Sequence, residues 1–114
     1  MVKENCRLQM RFDGGVLVAS ISGELDHHGA VAVRTLIDRQ ICDGSPSRTV
    51  LDLTGLDFMD SSGLGLIMGR YALMKKMGGD LCVRNPNERV LKIFRLAGLE
   101  RMVSIELNGK ENGK

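Results

Sequence analysis

The middle of the chain changes from the hydrophobic pattern of a buried strand to that of an amphipathic helix. Residues 49–53 are apolar and β-branched, which favours a buried strand. After a short connection, a helix is predicted over about residues 62–77, with apolar residues at helical spacing: Leu64, Ile67, Met68, Tyr71 and Met74. Ser61 and Ser62 therefore lie at or just before a helix N-terminus, where backbone N–H groups are free and the helix dipole is positive.

The flanking segments repeat this alternation of strands and helices. The predicted strands cover about residues 6–12, 16–21, 49–53, 81–83 and 102–105, and a helical turn is the alternative for the last of these. The predicted helices cover about residues 27–42, 62–77 and 87–97. The turn Asp13-Gly14-Gly15 joins the first two strands into a hairpin, and Asp26 is the expected N-cap of the first helix. The order ββαβαβαβ predicts the α/β class, with a mixed β-sheet and helices packed against it.

Length and composition are those of one globular domain. The 114 residues, 43% of them apolar, are enough for one core, so we expect a single domain over residues 1–114. No apolar run reaches the ~20 residues of a membrane helix, and the N-terminus lacks an apolar signal segment. The sequence thus predicts a cytoplasmic protein without a membrane partner. The polar residues 108–114 are expected to form a flexible tail.

Charge and cysteines suggest no special partner. The net charge of +2 is too small to indicate direct nucleic-acid binding, and base-stacking aromatic residues are scarce. The basic residues of the C-terminal third are interpreted as a solvated helix face, with a contact to a partner protein as the open alternative. Cys6, Cys42 and Cys82 form no C-x-x-C pair, so they are predicted to be small buried or half-buried packing residues in a reducing compartment.

The residues around the serine pair leave several roles open. A serine at a helix start commonly caps the helix, but an exposed serine there can also enter a kinase active site and gain about −1.5 to −2 charges. Asp60 is a further cap candidate. Gly63, Gly65 and Gly69 have the spacing G-x-G-x-x-x-G, which is not that of a nucleotide-binding loop. These glycines favour close helix packing or close approach of another protein.

The segment Asp26-His27-His28 can be interpreted as a functional site or as an ordinary helix start. A metal site is disfavoured because adjacent histidines on a helix point about 100° apart and no third ligand is evident. A Ser–His–Asp hydrolase is disfavoured because the sequence has no G-x-S-x-G elbow. The plainer interpretation is the exposed start of a helix whose Arg34, Asp38 and Arg39 face water.

Four segments, taken together and in this order, resemble the STAS domains (sulfate transporter and anti-sigma factor antagonist) of anti-sigma factor antagonists. They are Gly23-Glu24-Leu25-Asp26-His27-His28, the D-F-M-D-S-S-G-L-G and G-R-Y pattern of residues 57–71, Gly78-Gly79-Asp80, and Phe94-Arg95-Leu96-Ala97-Gly98-Leu99. The most similar type is that of sporulation, in the stage II, sigma F pathway. The resemblance implies a STAS-type mixed sheet and favours the switch role for Ser61.

The resemblance also implies a mechanism. The unphosphorylated form would bind an anti-sigma factor that is also an ATP-dependent serine kinase, and so release a sigma factor that directs transcription during sporulation. Phosphorylation of Ser61 would end this binding, and a metal-dependent PP2C-type phosphatase would restore it. The chain itself would be no enzyme and need no cofactor. The implied partner-binding residues are Asp26, His27, Asp60, Ser61, Ser62, Gly63 and Gly65.

Two other functions remain open at this point. A general-stress or stressosome-like STAS regulator would have the same fold and a different partner kinase. A small serine hydrolase or nucleotide-binding protein would need a deep polar pocket beside Ser61.

Overall fold

Residues 5–107 of the chain, which the structure describes, form a six-stranded mixed sheet and three α-helices. The structure is a computed structural model. The strands are β1 (Cys6–Asp13), β2 (Val16–Leu25), β3 (Arg48–Asp52), β4 (Leu56–Met59), β5 (Asp80–Arg84) and β6 (Ser104–Glu106). The helices are α1 (His27–Gly44), α2 (Ser61–Lys76) and α3 (Glu88–Ala97), and a 3₁₀ turn at Leu99–Arg101 precedes β6. The predicted tail at residues 108–114 lies outside the described residues.

The sheet confirms the predicted α/β class but contains a strand that the predicted order lacks. The strand order is β1-β2-β3-β5-β6, and β4 pairs with β2. Only β1 and β2 are antiparallel to each other; the remaining pairs are parallel. β4 was expected to be a short connection. Its burial runs buried, exposed, exposed, buried, so it lacks the alternation that marks a strand, and pairing with β2 holds it in the sheet.

Gly23 lets β2 pair with two different strands on the same side. The first half of β2 pairs with β3 as far as Ser20↔Asp52, and its end pairs with β4 from Gly23↔Leu56, with a register shift after Gly23. Gly23 has a φ of +90°, and a Cβ atom there would overlap the carbonyl oxygen of Asn5. The change of partner places the end of β4 beside the end of β2.

The three helices cover one face of the sheet. Their buried residues share a core with alternate residues of the strands, such as Leu17, Ala19 and Ile21 of β2. On the other face, Val18, Val50 and Cys82 form a small apolar row across three strands. Ion pairs join the neighbouring strands on that face, Arg48 to Asp80 at 3.5 Å and Arg84 to Glu106 at 3.4 Å.

The buried side of α2 differs from the predicted apolar stripe. Met68 is 43% exposed, and Leu64 and Tyr71 are only half-buried. The buried residues of the helix are Gly63, Leu66, Ile67, Arg70 and Met74. An arginine therefore occupies a core-facing position, and apolar atoms remain at the surface.

One cysteine assignment was also wrong. Cys6 and Cys82 are buried as predicted, but Cys42 is exposed in the last turn of α1. Burial raises the pKa of the Cys82 thiol to about 11. Cys82 is therefore an uncharged packing residue at neutral pH.

Candidate functional site

The starts of α1 and α2 lie side by side at one edge of the sheet. In the parallel pair of β2 and β4, Leu25 is the partner of Met59. The backbone N–H of Asp60 also donates to the carbonyl oxygen of Leu25 at 3.2 Å. The next residues, Asp26 and Asp60, are therefore neighbours, and the two sequence motifs that carry them meet at this point.

Both helices begin with an aspartate N-cap. The Asp26 side chain accepts a hydrogen bond from the Gly29 N–H at 2.9 Å, as predicted. The Asp60 side chain accepts one from the Ser62 N–H at 2.8 Å, so Asp60, and not a serine, caps α2. The hydrogen bond from Gly29 lowers the pKa of Asp26, because it stabilises the charged carboxylate.

Ser61 is the first residue of α2 and is exposed. Since Asp60 supplies the cap, the Ser61 hydroxyl is not needed for that purpose. No residue within 5–107 forms a hydrogen bond with this hydroxyl. Ser62 is half-buried at the next position. The structure thus leaves the hydroxyl of Ser61 at the surface, beside the carboxylate-bearing Asp60.

The glycines that follow serve two different purposes. A Cβ atom on Gly63 would come within 2.6 Å of the Met59 sulfur, so this glycine lets α2 pack against the end of β4. Gly65 is exposed, and a Cβ atom there would meet nothing within 4 Å. Packing inside the chain therefore explains Gly63 but not Gly65. Of the two predicted reasons for these glycines, close approach of another protein fits Gly65.

A groove of about 260 Å³ lies between the N-terminal parts of α1 and α2. Three of the predicted site residues, His27, Ser62 and Gly65, line it. The other lining residues were not predicted: Ala30, Val31, Arg34 and Leu66. The three on α1 follow His27 by three, four and seven residues, so helical spacing from His27 was the signal that could have found them. Asp26, Ser61 and Gly63 are direct neighbours of lining residues in the sequence, and Asp60 precedes Ser61.

A buried ion pair joins α1 to α2 further along the two helices. Arg70 is only 7% exposed, and its Nε lies 2.8 Å from Oδ1 of Asp38. Asp38 is therefore half-buried and paired, and the prediction that it faces water was wrong. Arg34 and Arg39 are exposed as predicted. Burial lowers the pKa of Arg70, and the charge of Asp38 opposes that change.

The Asn87 side chain holds the strand that leads into Ser61. Its amide nitrogen donates to the carbonyl oxygens of Leu56 at 3.1 Å and Asp57 at 3.3 Å. Its amide oxygen accepts from the Val90 N–H at 2.9 Å and so caps α3. One side chain therefore ties the start of α3 to β4. The sequence indicated a helix start here but not this link.

The site contains no arrangement typical of a metal centre. Among residues 5–107, no three His, Cys, Asp or Glu side chains are grouped so that they could hold a metal ion. His27 and His28 pack edge to face with ring centres 5.9 Å apart. No helix in the described part of the chain is both long and apolar enough to cross a bilayer.

Comparison with known proteins gives the family of this chain. The family model of the STAS domain matches residues 7–112. An anti-sigma F factor antagonist of Paenibacillus polymyxa is 41% identical over 101 residues, which cover 89% of this chain and 86% of the relative.

Comparison with solved structures leads to the same family. The anti-sigma factor antagonist SpoIIAA in its unphosphorylated form matches with a TM-score of 0.80 and 30% identity, covering 93% of this chain and 92% of that one. The Bacillus cell fate determinant SpoIIAA in the phosphorylated form matches with a TM-score of 0.73 and 29% identity, covering 93% of this chain and 96% of that one. The resemblance seen in the sequence is thus confirmed, and this chain belongs to the STAS domain family, as does the anti-sigma F factor antagonist of Paenibacillus polymyxa that it matches.

Proposed function

We propose that this chain is an anti-sigma factor antagonist that is switched by phosphorylation of Ser61. The observation that carries the proposal is the exposed Ser61 hydroxyl at the first position of α2, left free because Asp60 caps the helix. The proposed docking face consists of Asp26, His27, Asp60, Ser61, Ser62, Gly63 and Gly65. A relative in the same family has been solved in both an unphosphorylated and a phosphorylated form, which supports such a switch.

A phosphate on Ser61 would change the docking face mainly through its charge. It adds about −1.5 to −2 charges beside Asp60, which is itself acidic. A partner that packs closely on this face would have to desolvate these charges together. A difference of about 3 kcal/mol in binding free energy changes the dissociation constant more than 100-fold. This is enough to convert a bound state into a free one.

The proposed cycle assigns the chemistry to the partners. The anti-sigma factor would carry the ATP-dependent serine kinase activity, and a PP2C-type phosphatase would remove the phosphate. Binding of the unphosphorylated chain would release a sigma factor during sporulation, in the cytoplasm. The chain itself would bind and accept a phosphate. A role as a hydrolase is not supported, since no base within residues 5–107 forms a hydrogen bond with the Ser61 hydroxyl.

Phosphorylation can be tested by intact-mass analysis and site mapping. The chain is incubated with ATP and the candidate anti-sigma kinase of its host. We expect one added phosphate on Ser61, none in Ser61→Ala, and normal phosphorylation of the matched control Ser62→Ala. If a kinase that is active on a control substrate adds no phosphate, or adds it to Ser62, the proposed switch is wrong.

Binding to the anti-sigma factor tests the effect of the charge. Ser61→Asp adds one negative charge, and Ser61→Asn has a similar shape without the charge. We expect Ser61→Asp to weaken binding by about tenfold or more and Ser61→Asn to weaken it much less. Ser61→Ala should bind and resist release by ATP. Equal dissociation constants for wild type and Ser61→Asp would contradict the proposal.

A further inference from the structure

The groove between α1 and α2 is continuous with the proposed docking face. His27, Ser62 and Gly65 belong to both. The rest of its lining is mainly apolar, with Ala30 and Leu66 buried and Val31 43% exposed. Its volume of about 260 Å³ far exceeds the ~30 Å³ occupied by a water molecule in the liquid, so a side chain of a partner can enter.

The surface beside the groove exposes further apolar atoms. Met68 follows Gly65 by three residues on α2, which places the two on neighbouring positions of the helix surface. Its thioether side chain can adapt to the shape of a partner. Together, Val31 and Met68 present apolar atoms on both helices. A partner that docks on both helices can therefore make apolar contacts with these side chains.

Arg34 supplies a positive charge that is not neutralised within the described part of the chain. It is exposed on α1, lines the groove, and forms no ion pair with any residue in the range 5–107. Asp38, one turn further along α1, would be its usual partner, but Asp38 is paired with Arg70. The charge of Arg34 also lowers the pKa of Arg70, because like charges repel each other.

We infer that the groove receives an apolar side chain of the anti-sigma factor, and that an adjacent carboxylate of that factor pairs with Arg34. This inference rests on the proposed function, because it describes the chemistry of the same partner. Arg34 then determines specificity for an acidic partner segment. It forms a charge-assisted contact that only the partner can complete.

An acidic partner segment would also connect the groove to the switch. Ser62 lines the groove and directly follows Ser61 in the chain. A phosphate on Ser61 would therefore appear close to the acidic segment and repel it. The phosphate would then oppose the attraction that Arg34 exerts on the partner, so both groups would act on the same contact.

Charge variants of α1 test the inference in the full-length chain. The dissociation constant for the anti-sigma factor is measured for wild type, Arg34→Gln and Arg34→Glu. Arg39→Glu is the matched control, since Arg39 is an exposed arginine on the same helix outside the groove. We expect weakening of a few-fold for Arg34→Gln, at least about tenfold for Arg34→Glu, and little change for Arg39→Glu. The salt dependence of binding should also fall in Arg34→Gln.

The failures of the two proposals can be told apart. If Arg34→Glu binds like wild type while Ser61→Asp binds weakly, the acidic-segment inference is wrong and the switch stands. If Arg34→Glu and Arg39→Glu weaken binding equally, the effect is one of net charge and the inference is also wrong. If neither Arg34→Glu nor Ser61→Asp changes binding, both proposals fail. Thermal unfolding of each variant checks that the fold is intact.

Discussion

The connections from strand to helix before α1 and α2 contain the same elements in the same order. In each case a parallel strand ends, an aspartate caps the helix, two polar residues follow, and the third residue of the helix is glycine. The two polar residues are histidines in α1 and serines in α2. At both starts the aspartate caps the helix at the turn from strand to helix. The pair that differs is not required by this turn, so the local fold leaves those positions free for function.

The two starts also differ in how firmly the preceding strand is held. β2 has ten residues and lies between β1 on one side and β3 and β4 on the other. β4 has four residues and pairs with β2 alone, and the Asn87 amide supplies two further hydrogen bonds. The start of α2, which carries Ser61, therefore depends on a side chain from a distant part of the chain.

Replacing the third residue of each helix should give the largest difference in stability between variants of the two helix starts. In Gly63→Ala, the new Cβ would lie 2.6 Å from the Met59 sulfur, inside the core. We expect the free energy of unfolding to fall by about 1–3 kcal/mol, which is typical of overpacking. In Gly29→Ala, the nearest atom, Cβ of Cys6, is at 3.4 Å, an ordinary contact. The better helix propensity of alanine should then leave stability unchanged or raised by up to ~1 kcal/mol.

Urea unfolding of the two variants measures this difference. Gly65→Ala is the control on the same helix as Gly63, because no atom lies within 4 Å of its new Cβ. It should be at least as stable as wild type. If Gly63→Ala and Gly65→Ala have the same unfolding midpoint, Met59 moves aside easily, and the close packing at the start of α2 does not require glycine.

The elements that the sequence predicted well are those specified by local signals. The hairpin follows from alternation around Asp13-Gly14-Gly15, and the start of α1 follows from an aspartate before an amphipathic pattern. β4 was missed because its four residues show no period, and its pairing with β2 is non-local. The burial of Arg70 was missed for the same reason, since it depends on Asp38 of another helix.

The candidate site was predicted in part. The α2 side followed from the family resemblance of residues 57–71, and the pairing of β2 with β4 explains why Asp26 belongs beside it. The α1 wall of the groove, including Val31 and Arg34, carries no motif. Its residues become a surface only when α1 packs against α2. Helical spacing from His27 can group them on one side of α1, but it does not show that this side faces α2.

The link from Asn87 to β4 can be broken without removing the cap of α3. Asn87→Asp keeps an oxygen to accept from the Val90 N–H, but replaces the amide donor by an oxygen that faces the carbonyl oxygens of Leu56 and Asp57. We expect the free energy of unfolding to fall by about 1 kcal/mol. Hydrogen exchange should become faster at residues 56–62, before and within the start of α2, and stay unchanged at residues 25–29.

The Ser61 kinase reaction gives a second measurement on this variant. If the link positions Ser61, Asn87→Asp should lower the rate of phosphorylation at saturating kinase by more than its loss of stability accounts for. Asn87→Gln should not return this rate to the wild-type value. Asn87→Ala, which removes both the cap and the link, should be less stable than Asn87→Asp. Uniformly faster exchange across α3 would instead show that the aspartate no longer caps that helix.

The smallest expected effect is the pH dependence that comes from the α1 cap. The pKa of Asp26 is lowered in the folded chain, chiefly by the hydrogen bond from Gly29, so the charged cap stabilises the fold above its unfolded pKa of about 3.8. This contribution should be lost as the pH falls through the lower folded value. Asp26→Asn keeps a good capping residue without the titration. The advantage of wild type over Asp26→Asn in the free energy of unfolding should therefore be largest at pH 6 and shrink below about pH 4. A constant difference from pH 6 to pH 3 would mean that the charge of Asp26 adds nothing to the cap.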